Sequence, residues 1–188
     1  IHIGSETLIG ANVNSSNWFS YIGYDSNCKA TSEESDPIIK NLNIISVANV
    51  TNMSNMFAYL GYSNMTTFSL SSNFYTTSVT NMYRMFRGTG YTAMTKLDLG
   101  AFDTSNATNM SAMFETTGYK AMQTLNLGTS FKTNKVTNMA YMFNACGETA
   151  FRIIVATPFN IIPNIYISVV LKNDLLLTSS KLFSDRKS

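Results

Sequence analysis

The sequence is poor in charged residues, which make up 13% of its 188 positions, about half the usual share of roughly 25%. Serine, threonine and asparagine take their place, and a neutral polar surface of this kind is more common outside cells than in cytosolic enzymes. The net charge is only +2, and the body of the chain has no basic run. Because a protein binds nucleic acid through clustered positive charge that neutralises phosphates, this composition argues against a nucleic-acid partner.

Histidine and cysteine are also scarce, since the chain has one histidine, His2, and two cysteines. So few ligands and bases leave almost nothing for a zinc site or for histidine-based catalysis. No nucleophile–base pair and no pair of carboxylates stands out in the sequence. We therefore predict that the protein is not an enzyme and that it has no cofactor and no metal site.

A repeat of about 29 residues organises most of the chain. The segment Val50–Phe57 recurs at residues 79–86, 107–114 and 136–143, with spacings of 29, 28 and 29 residues, and all eleven methionines fall in three columns of the alignment. A degenerate earlier copy carries Trp18 in place of a methionine. A fixed period of this length is typical of stacked repeats, whose end copies deviate because they have a neighbour on one side only.

Each unit is predicted to contain a helix of two turns. Thr51 or Asn52 would cap its start, and Met53, Met56 and Phe57 follow at the i, i+3 and i+4 spacing of one helix face. Such a helix is too short to be stable alone, so the repeats must hold it by packing. The predicted core consists of Met53, Met56, Phe57, Met82, Met85, Phe86, Met110, Met113, Phe114, Met139, Met142 and Phe143.

An apolar–polar–apolar triplet later in each unit predicts a short strand. Leu97-Asp98-Leu99 is the clearest example, and Gly100 allows the chain to turn after it. One strand, one turn and one short helix per unit give an α/β fold, with short parallel strands on one face and short helices on the other.

The motif Val-Thr-Asn-Met-x-x-Met-Phe, together with Leu-Asp-Leu-Gly-Ala-Phe-Asp-Thr-Ser at 97–105, resembles the BspA-type leucine-rich repeat of bacterial surface proteins. Relatives of that repeat occur in mycoplasma lipoproteins and in surface proteins of some parasitic protists. The resemblance covers residues 41–159, although these units carry an additional Gly-Tyr-x-x-Met stretch. It implies a leucine-rich-repeat solenoid of about five coils, located at the cell surface or outside the cell and used for adhesion or binding.

The polar strand positions that point away from the core form the candidate ligand-binding site. In a leucine-rich-repeat solenoid such residues line the sheet face that most often binds partners, although here they serve equally well as plain solvent-facing residues. These positions are Thr67, Ser69, Lys96, Asp98, Thr124 and Asn126.

Cys28 and Cys146 are predicted to be two separate thiols. They belong to the first and fifth coils, so four coil spacings of about 4.8 Å place them roughly 19 Å apart. A disulfide needs Cα atoms within about 7 Å of each other.

We divide the chain into an N-terminal cap with the degenerate first repeat, which an insertion at 26–37 interrupts (residues 1–49), the repeat region (50–159) and a C-terminal cap with a basic tail (160–188). The C-terminal part is ambiguous, because residues 153–171 carry no charge and are long enough for a membrane anchor. Pro158, Pro163 and the β-branched residues favour instead a β-rich cap that closes the open end of the repeats.

The favoured function is a non-enzymatic extracellular binding or adhesion module, whose partner is a protein or glycan on another cell or matrix. The alternative is a structural or assembly subunit that self-associates through its repeat ends and its C-terminal apolar segment. If the protein is attached to a membrane, we expect the attachment to use regions outside this chain or, as a second choice, the C-terminal apolar segment. The chain begins at Ile1 rather than at a methionine, so we expect a processed or excised piece of a longer protein.

Overall fold

The computed structural model describes residues 9–25, 45–70, 74–100, 102–147 and 152–155. We number the repeat units 1 to 5 by the asparagine that each contributes to one column, in the order Asn14, Asn52, Asn81, Asn109 and Asn138. Parallel β-bridges join each of these asparagines to the next. The repeats therefore stack on one another in sequence order.

The described strands are short and parallel. β1 (Ile9–Gly10) pairs with β2 (Ile45–Ser46) in one sheet, and β3 (Thr67–Ser69), β4 (Lys96–Asp98), β5 (Thr124–Gly128) and β6 (Arg152–Val155) follow one another in a second sheet. Each strand of the second sheet comes from a successive repeat, and each triplet that predicts a strand overlaps one of β3, β4 and β5. The register keeps equivalent residues side by side, as in the row Phe68, Leu97 and Leu125.

The predicted helices do not form, and the α/β fold class with a helical face is therefore wrong. Across the described residues the structure contains no helix. The segments expected to be helical are successions of tight turns, which we call the turn ribbons (residues 15–22, 53–60, 82–89, 110–117 and 139–146). In unit 2 the amide of Met56 donates to the carbonyl oxygen of Met53, and that of Leu60 donates to Phe57. These bonds span three residues instead of the four of an α-helix.

The other amides of a turn ribbon donate hydrogen bonds to the next unit instead of to their own unit. The amides of Met53, Asn55, Phe57 and Tyr59 donate to carbonyl oxygens of unit 3 at distances of 2.7–2.9 Å. This alternation requires positive φ at the third residue of the turns, as at Asn55 (55°) and Tyr59 (59°). The hydrogen bonds that a helix would make within itself are here made between neighbouring repeats.

One asparagine precedes each turn ribbon, in the position of a helix cap, but its side chain caps a tight turn and not a helix. The Oδ1 atom of Asn52 accepts the amide of Ser54 at 3.0 Å, and Asn81 and Asn109 do the same for the residues two places on. The preceding threonines link units, since Oγ1 of Thr80 donates to the carbonyl oxygen of Thr51. A cap that binds the amide two residues on is the Asx-turn, which competes with helix formation.

The core lies between the ribbons and the strands. The phenylalanines of the ribbons stack as a continuous ladder, with ring centroids 5.3–5.6 Å apart and planes within 13° of parallel. All the methionines and phenylalanines predicted as core lie buried. The ladder is Phe19, Phe57, Phe86, Phe114 and Phe143.

Several predictions concern residues outside the described ranges. They include the insertion at 26–37, Cys28, the C-terminal cap at 160–188 and, apart from residues 153–155, the alternative membrane anchor at 153–171. Cys146 lies within the described ranges, where it is buried and carries a free thiol.

Candidate functional site

The six residues proposed for ligand binding lie together on the second sheet. Thr67, Lys96 and Thr124 are neighbours across β3, β4 and β5, and Ser69, Asp98 and Asn126 form the adjacent row two residues further on. Thr67, Ser69 and Lys96 are exposed, whereas the other three are half-buried. The strand register therefore produces one polar face from six side chains that are distant in sequence.

Asp98 is the most constrained residue of this face. Its Oδ1 atom accepts hydrogen bonds from the amide of Gly100 (3.0 Å) and from Nδ2 of Asn126 (2.9 Å), and Oδ2 lies 3.0 Å from Nζ of Lys96. Burial alone would raise the pKa of Asp98, but these hydrogen bonds and the charge of Lys96 outweigh it and lower the pKa. In the next unit, Oδ1 of Asn126 accepts the equivalent hydrogen bond from the amide of Gly128. Asp98 and Asn126 thus hold the turns that end their strands, and Lys96, Thr67 and Ser69 are the side chains most available to a partner.

A second surface, which we call the tyrosine row, consists of Tyr24, Tyr62, Tyr91 and Tyr119. Consecutive ring centroids are 4.6–4.7 Å apart, and the rings of Tyr62, Tyr91 and Tyr119 are within 12° of parallel. Because the ring faces cover one another, the row presents ring edges to solvent. Each tyrosine follows a glycine of positive φ, so the same backbone turn repeats in four units; these glycines are Gly23, Gly61, Gly90 and Gly118.

Two further tyrosines and a cation border the row. Tyr21 stacks on Tyr59 at 4.9 Å, and both rings lie within 6.2 Å of the tyrosine row. The guanidinium of Arg87 lies 5.6 Å from the Tyr59 ring centroid and is paired with Glu115 at 2.8 Å. Partial burial, followed by the neighbouring tyrosines, raises the pKa of Tyr62. Like tyrosine hydroxyls in general, that of Tyr62 is protonated at neutral pH and can donate a hydrogen bond.

Among the described residues, no three histidine, cysteine, aspartate or glutamate side chains are grouped so that they could hold a metal ion. No helix long and apolar enough to cross a membrane occurs in the same part of the chain.

The repeats also have a recognisable relative among protein families. A family model described as "Mycoplasma protein of unknown function, DUF285" matches residues 26–154. The chain belongs to this family. The DUF285 match takes in the turn ribbons of units 2 to 5, strands β2 to β5 and all of β6 except its last residue. No curated protein matches the chain, and no solved structure does either.

Within this DUF285 chain, the tyrosine row is the surface that the strand-based prediction did not single out. The sequence carries a signal for it, because Gly-Tyr recurs at Gly23-Tyr24, Gly61-Tyr62, Gly90-Tyr91 and Gly118-Tyr119. The prediction treated this recurrence as part of the repeat, since the period alone does not say whether a column faces the core or the solvent. The structure places these tyrosines outside the apolar core.

Proposed function

We propose that this chain is a non-enzymatic binding or adhesion module that presents a repeat-built surface to a protein or glycan outside the cell. Its Val-Thr-Asn-Met-x-x-Met-Phe motif supports this, because the motif resembles the repeat of BspA-type bacterial surface proteins. The family match is to mycoplasma proteins, and relatives of the BspA-type repeat occur in mycoplasma lipoproteins.

The tyrosine row is the observation that carries the proposal. Tyrosine offers a large contact area and a polar group at a small entropic cost, which is why it is enriched at interfaces. Four units each contribute one tyrosine to a continuous surface that the apolar core does not use. A contiguous, partly apolar surface on a soluble protein indicates an interaction site.

The sheet face is the second candidate surface and can be tested separately. Lys96→Thr combined with Asp98→Asn introduces the residue types that Thr124 and Asn126 already place in the same columns. The asparagine keeps an oxygen for the amide of Gly100, so the turn after β4 survives. Such a variant removes both charges and retains the fold.

The experiment measures binding of the 188-residue chain to a glycan array and to immobilised extracellular-matrix proteins. We expect Tyr62→Ala combined with Tyr91→Ala to weaken binding at least about tenfold, the loss of about 1.4 kcal/mol expected of an interface anchor. Tyr62→Phe with Tyr91→Phe keeps the stacked rings and isolates the contribution of the hydroxyls. Tyr75→Ala is the matched control, because Tyr75 is 58% exposed and belongs to neither surface.

Loss of binding only in the Lys96/Asp98 variant would move the ligand site from the tyrosine row to the sheet face. Full binding by both the tyrosine and the sheet variants would exclude both surfaces. An absence of binding to every glycan and matrix protein would contradict the adhesion proposal.

An assembly subunit is the second candidate function. The observation that favours it is a different one, namely the open hydrogen-bonding groups at the two ends of the described stack.

A further inference from the structure

Unit 1 has main-chain acceptors that no other described residue uses. In every later ribbon, alternate carbonyl oxygens accept hydrogen bonds from amides of the preceding unit. The carbonyl of Ser54, for example, accepts the amide of Asn17, and that of Ala58 accepts the amide of Tyr21. The equivalent carbonyls of unit 1 belong to Ser16 and Ser20, and among the described residues no donor reaches them. Within the described ranges, this end of the stack is therefore an open edge of main-chain acceptors.

The side chains around this edge are apolar and exposed. Trp18 occupies the column of Met56, Met85 and Met113, which are fully buried between units, yet Trp18 is 42% exposed. Val13 and Tyr21 beside it are 55% and 58% exposed. In interior repeats the column of Trp18 is fully buried by the neighbouring unit and that of Tyr21 is half-buried, as at Tyr59, whereas the column of Val13 stays exposed, as at Thr51.

The ribbon of unit 5 presents the complementary donors. In unit 4 the amides of Ala112 and Thr116 donate to the carbonyls of Ala140 and Asn144 in unit 5. The equivalent amides of unit 5 belong to Tyr141 and Ala145, and neither finds an acceptor among the described residues. Both residues are exposed, Tyr141 by 68%.

We propose that unit 5 of one copy of the chain stacks on unit 1 of a second copy and continues the repeat register across the joint. The amide of Tyr141 would then donate to the carbonyl of Ser16, and that of Ala145 to the carbonyl of Ser20, as equivalent residues do inside the stack. Trp18 lies between these two acceptors in sequence and becomes covered, as Met56 is in unit 2. The occupant is a second copy because the amides of Tyr141 and Ala145 have the same spacing as the carbonyls of Ser16 and Ser20, and because every joint between turn ribbons in the described stack runs in the same direction, from amides of one unit to carbonyls of the next.

The joint uses two different surfaces, so it is heterologous. A heterologous contact that does not close into a ring extends into a linear array. Exposed edges with unpaired main-chain groups are the usual templates for such association. The inference rests on the assembly function named second above and not on binding by the tyrosine row or the sheet face, to which neither Trp18 nor Tyr141 belongs.

The test blocks one end at a time in the full chain. Trp18→Asp places a charge on the unit 1 end and Tyr141→Asp places one on the unit 5 end, and both positions are exposed enough to tolerate the change. Sedimentation velocity of the unsubstituted chain should show species larger than a dimer as concentration rises. Each variant alone should be monomeric, with the dissociation constant of the joint raised at least about tenfold. An equimolar mixture of the two should form a 1:1 dimer and nothing larger, because only one intact pair of ends remains.

Tyr75→Asp, a charge at an exposed tyrosine of an interior unit, should associate like the unsubstituted chain. A monomeric unsubstituted chain, self-association of the Trp18→Asp variant alone, or a mixture that stays monomeric would each overturn the proposal. Hydrogen exchange provides a second measurement. The amides of Tyr141 and Ala145 should exchange fast in dilute monomer and slowly in the assembly. Slow exchange of these amides in the monomer would mean that this end is already covered, which also overturns the proposal.

Discussion

At the scale of single residues, buried threonines connect neighbouring repeats. Thr89 and Thr117 are fully buried, and their Oγ1 atoms donate to the carbonyl oxygens of Phe57 and Phe86 at 2.6 Å. A hydroxyl in this environment would be costly without a partner, so each bond both satisfies the side chain and fixes one unit on the previous one. Cys146 occupies the same column in unit 5. A thiol is a weak donor, and burial raises the pKa of Cys146 far above its usual range.

Threonine is therefore the better residue for this column. We expect Cys146→Thr to stabilise the protein by up to about 1 kcal/mol, because its hydroxyl can donate to the carbonyl of Phe114. Thr117→Val keeps the side-chain shape and should cost about 1–2 kcal/mol, since only the hydroxyl bond is lost. Urea denaturation of both variants checks this. A Cys146→Thr variant that is less stable than the parent by more than 1 kcal/mol would contradict the equivalence of the column.

Asp98 gives the sheet face a dependence on pH. Its pKa is lowered in the folded chain, so its charge stabilises the fold above the unfolded pKa of about 3.9. That stability is lost as the pH falls through the folded pKa. Because Lys96 is more than half exposed, the contribution is that of a surface pair, about 0.2–1 kcal/mol.

The measurement compares the free energy of unfolding of the parent and of Asp98→Asn between pH 7 and pH 2.5. The parent should be the more stable at pH 7, and the difference should vanish at the acidic end. A difference that is constant over this range would show that the charge of Asp98 plays no part.

At the scale of elements, the turn ribbons show why the repeat was easier to predict than its secondary structure. Met53, Met56, Phe57 and Leu60 are fully buried, and their i, i+3, i+4, i+7 spacing is the usual sign of a helix. A succession of tight turns between stacked units buries the same positions. The choice between the two depends on where the alternate amides find acceptors, which is set by the neighbouring unit and leaves little trace in local sequence. Most residues with positive φ in the ribbons are not glycine, as at Arg84 and Thr116.

The candidate binding surfaces were likewise predictable only in part, since the strand face was predicted and the tyrosine row was not. The strand triplets were readable because a period of two survives in three residues, and the register of β3 to β5 follows from the repeat. The tyrosine row was not assigned to a surface, since the turn after each glycine decides the direction of the next side chain. The repeat period thus showed which residues are equivalent. Whether the side chains of one column face the core or the solvent depends on the backbone conformation, which the period does not reveal.

Gly118 tests this role of the turn. Its φ is +53°, and a Cβ at this position would lie 2.7 Å from the Cβ of Met122. We expect Gly118→Ala to cost about 1–3 kcal/mol of stability from the backbone strain alone, and to disturb the stacking of Tyr119 on Tyr91. Gly10→Ala is the control, because a Cβ there meets no atom within 4 Å. Equal melting temperatures of the two variants would contradict the assignment of Gly118 as a turn that only glycine fits.

At the scale of the whole molecule, the stability of stacked repeats is a sum over units and their interfaces. The phenylalanine ladder crosses all five units, so it reports on these interfaces directly. Phe86 stacks on Phe57 at 5.4 Å and on Phe114 at 5.6 Å, whereas within the ladder Phe19 has one neighbour, Phe57 at 5.5 Å. A central ring therefore contributes to two interfaces and the ring of unit 1 to one.

Truncation of the ladder at its centre and at its end should accordingly have different costs. Phe86→Ala should destabilise the protein by about 3–5 kcal/mol, the range for a fully buried phenylalanine. Phe19→Ala should cost at least about 1 kcal/mol less, since one aromatic stacking contact contributes about 0.5–1.5 kcal/mol beyond burial and unit 1 lacks a second neighbour. The free energy of unfolding in urea, followed for both variants under the same conditions, checks the difference. Equal losses would mean that the ladder acts as one rigid body and not as a chain of pairwise interfaces, and a loss below 1 kcal/mol for Phe86→Ala would place that ring outside the core.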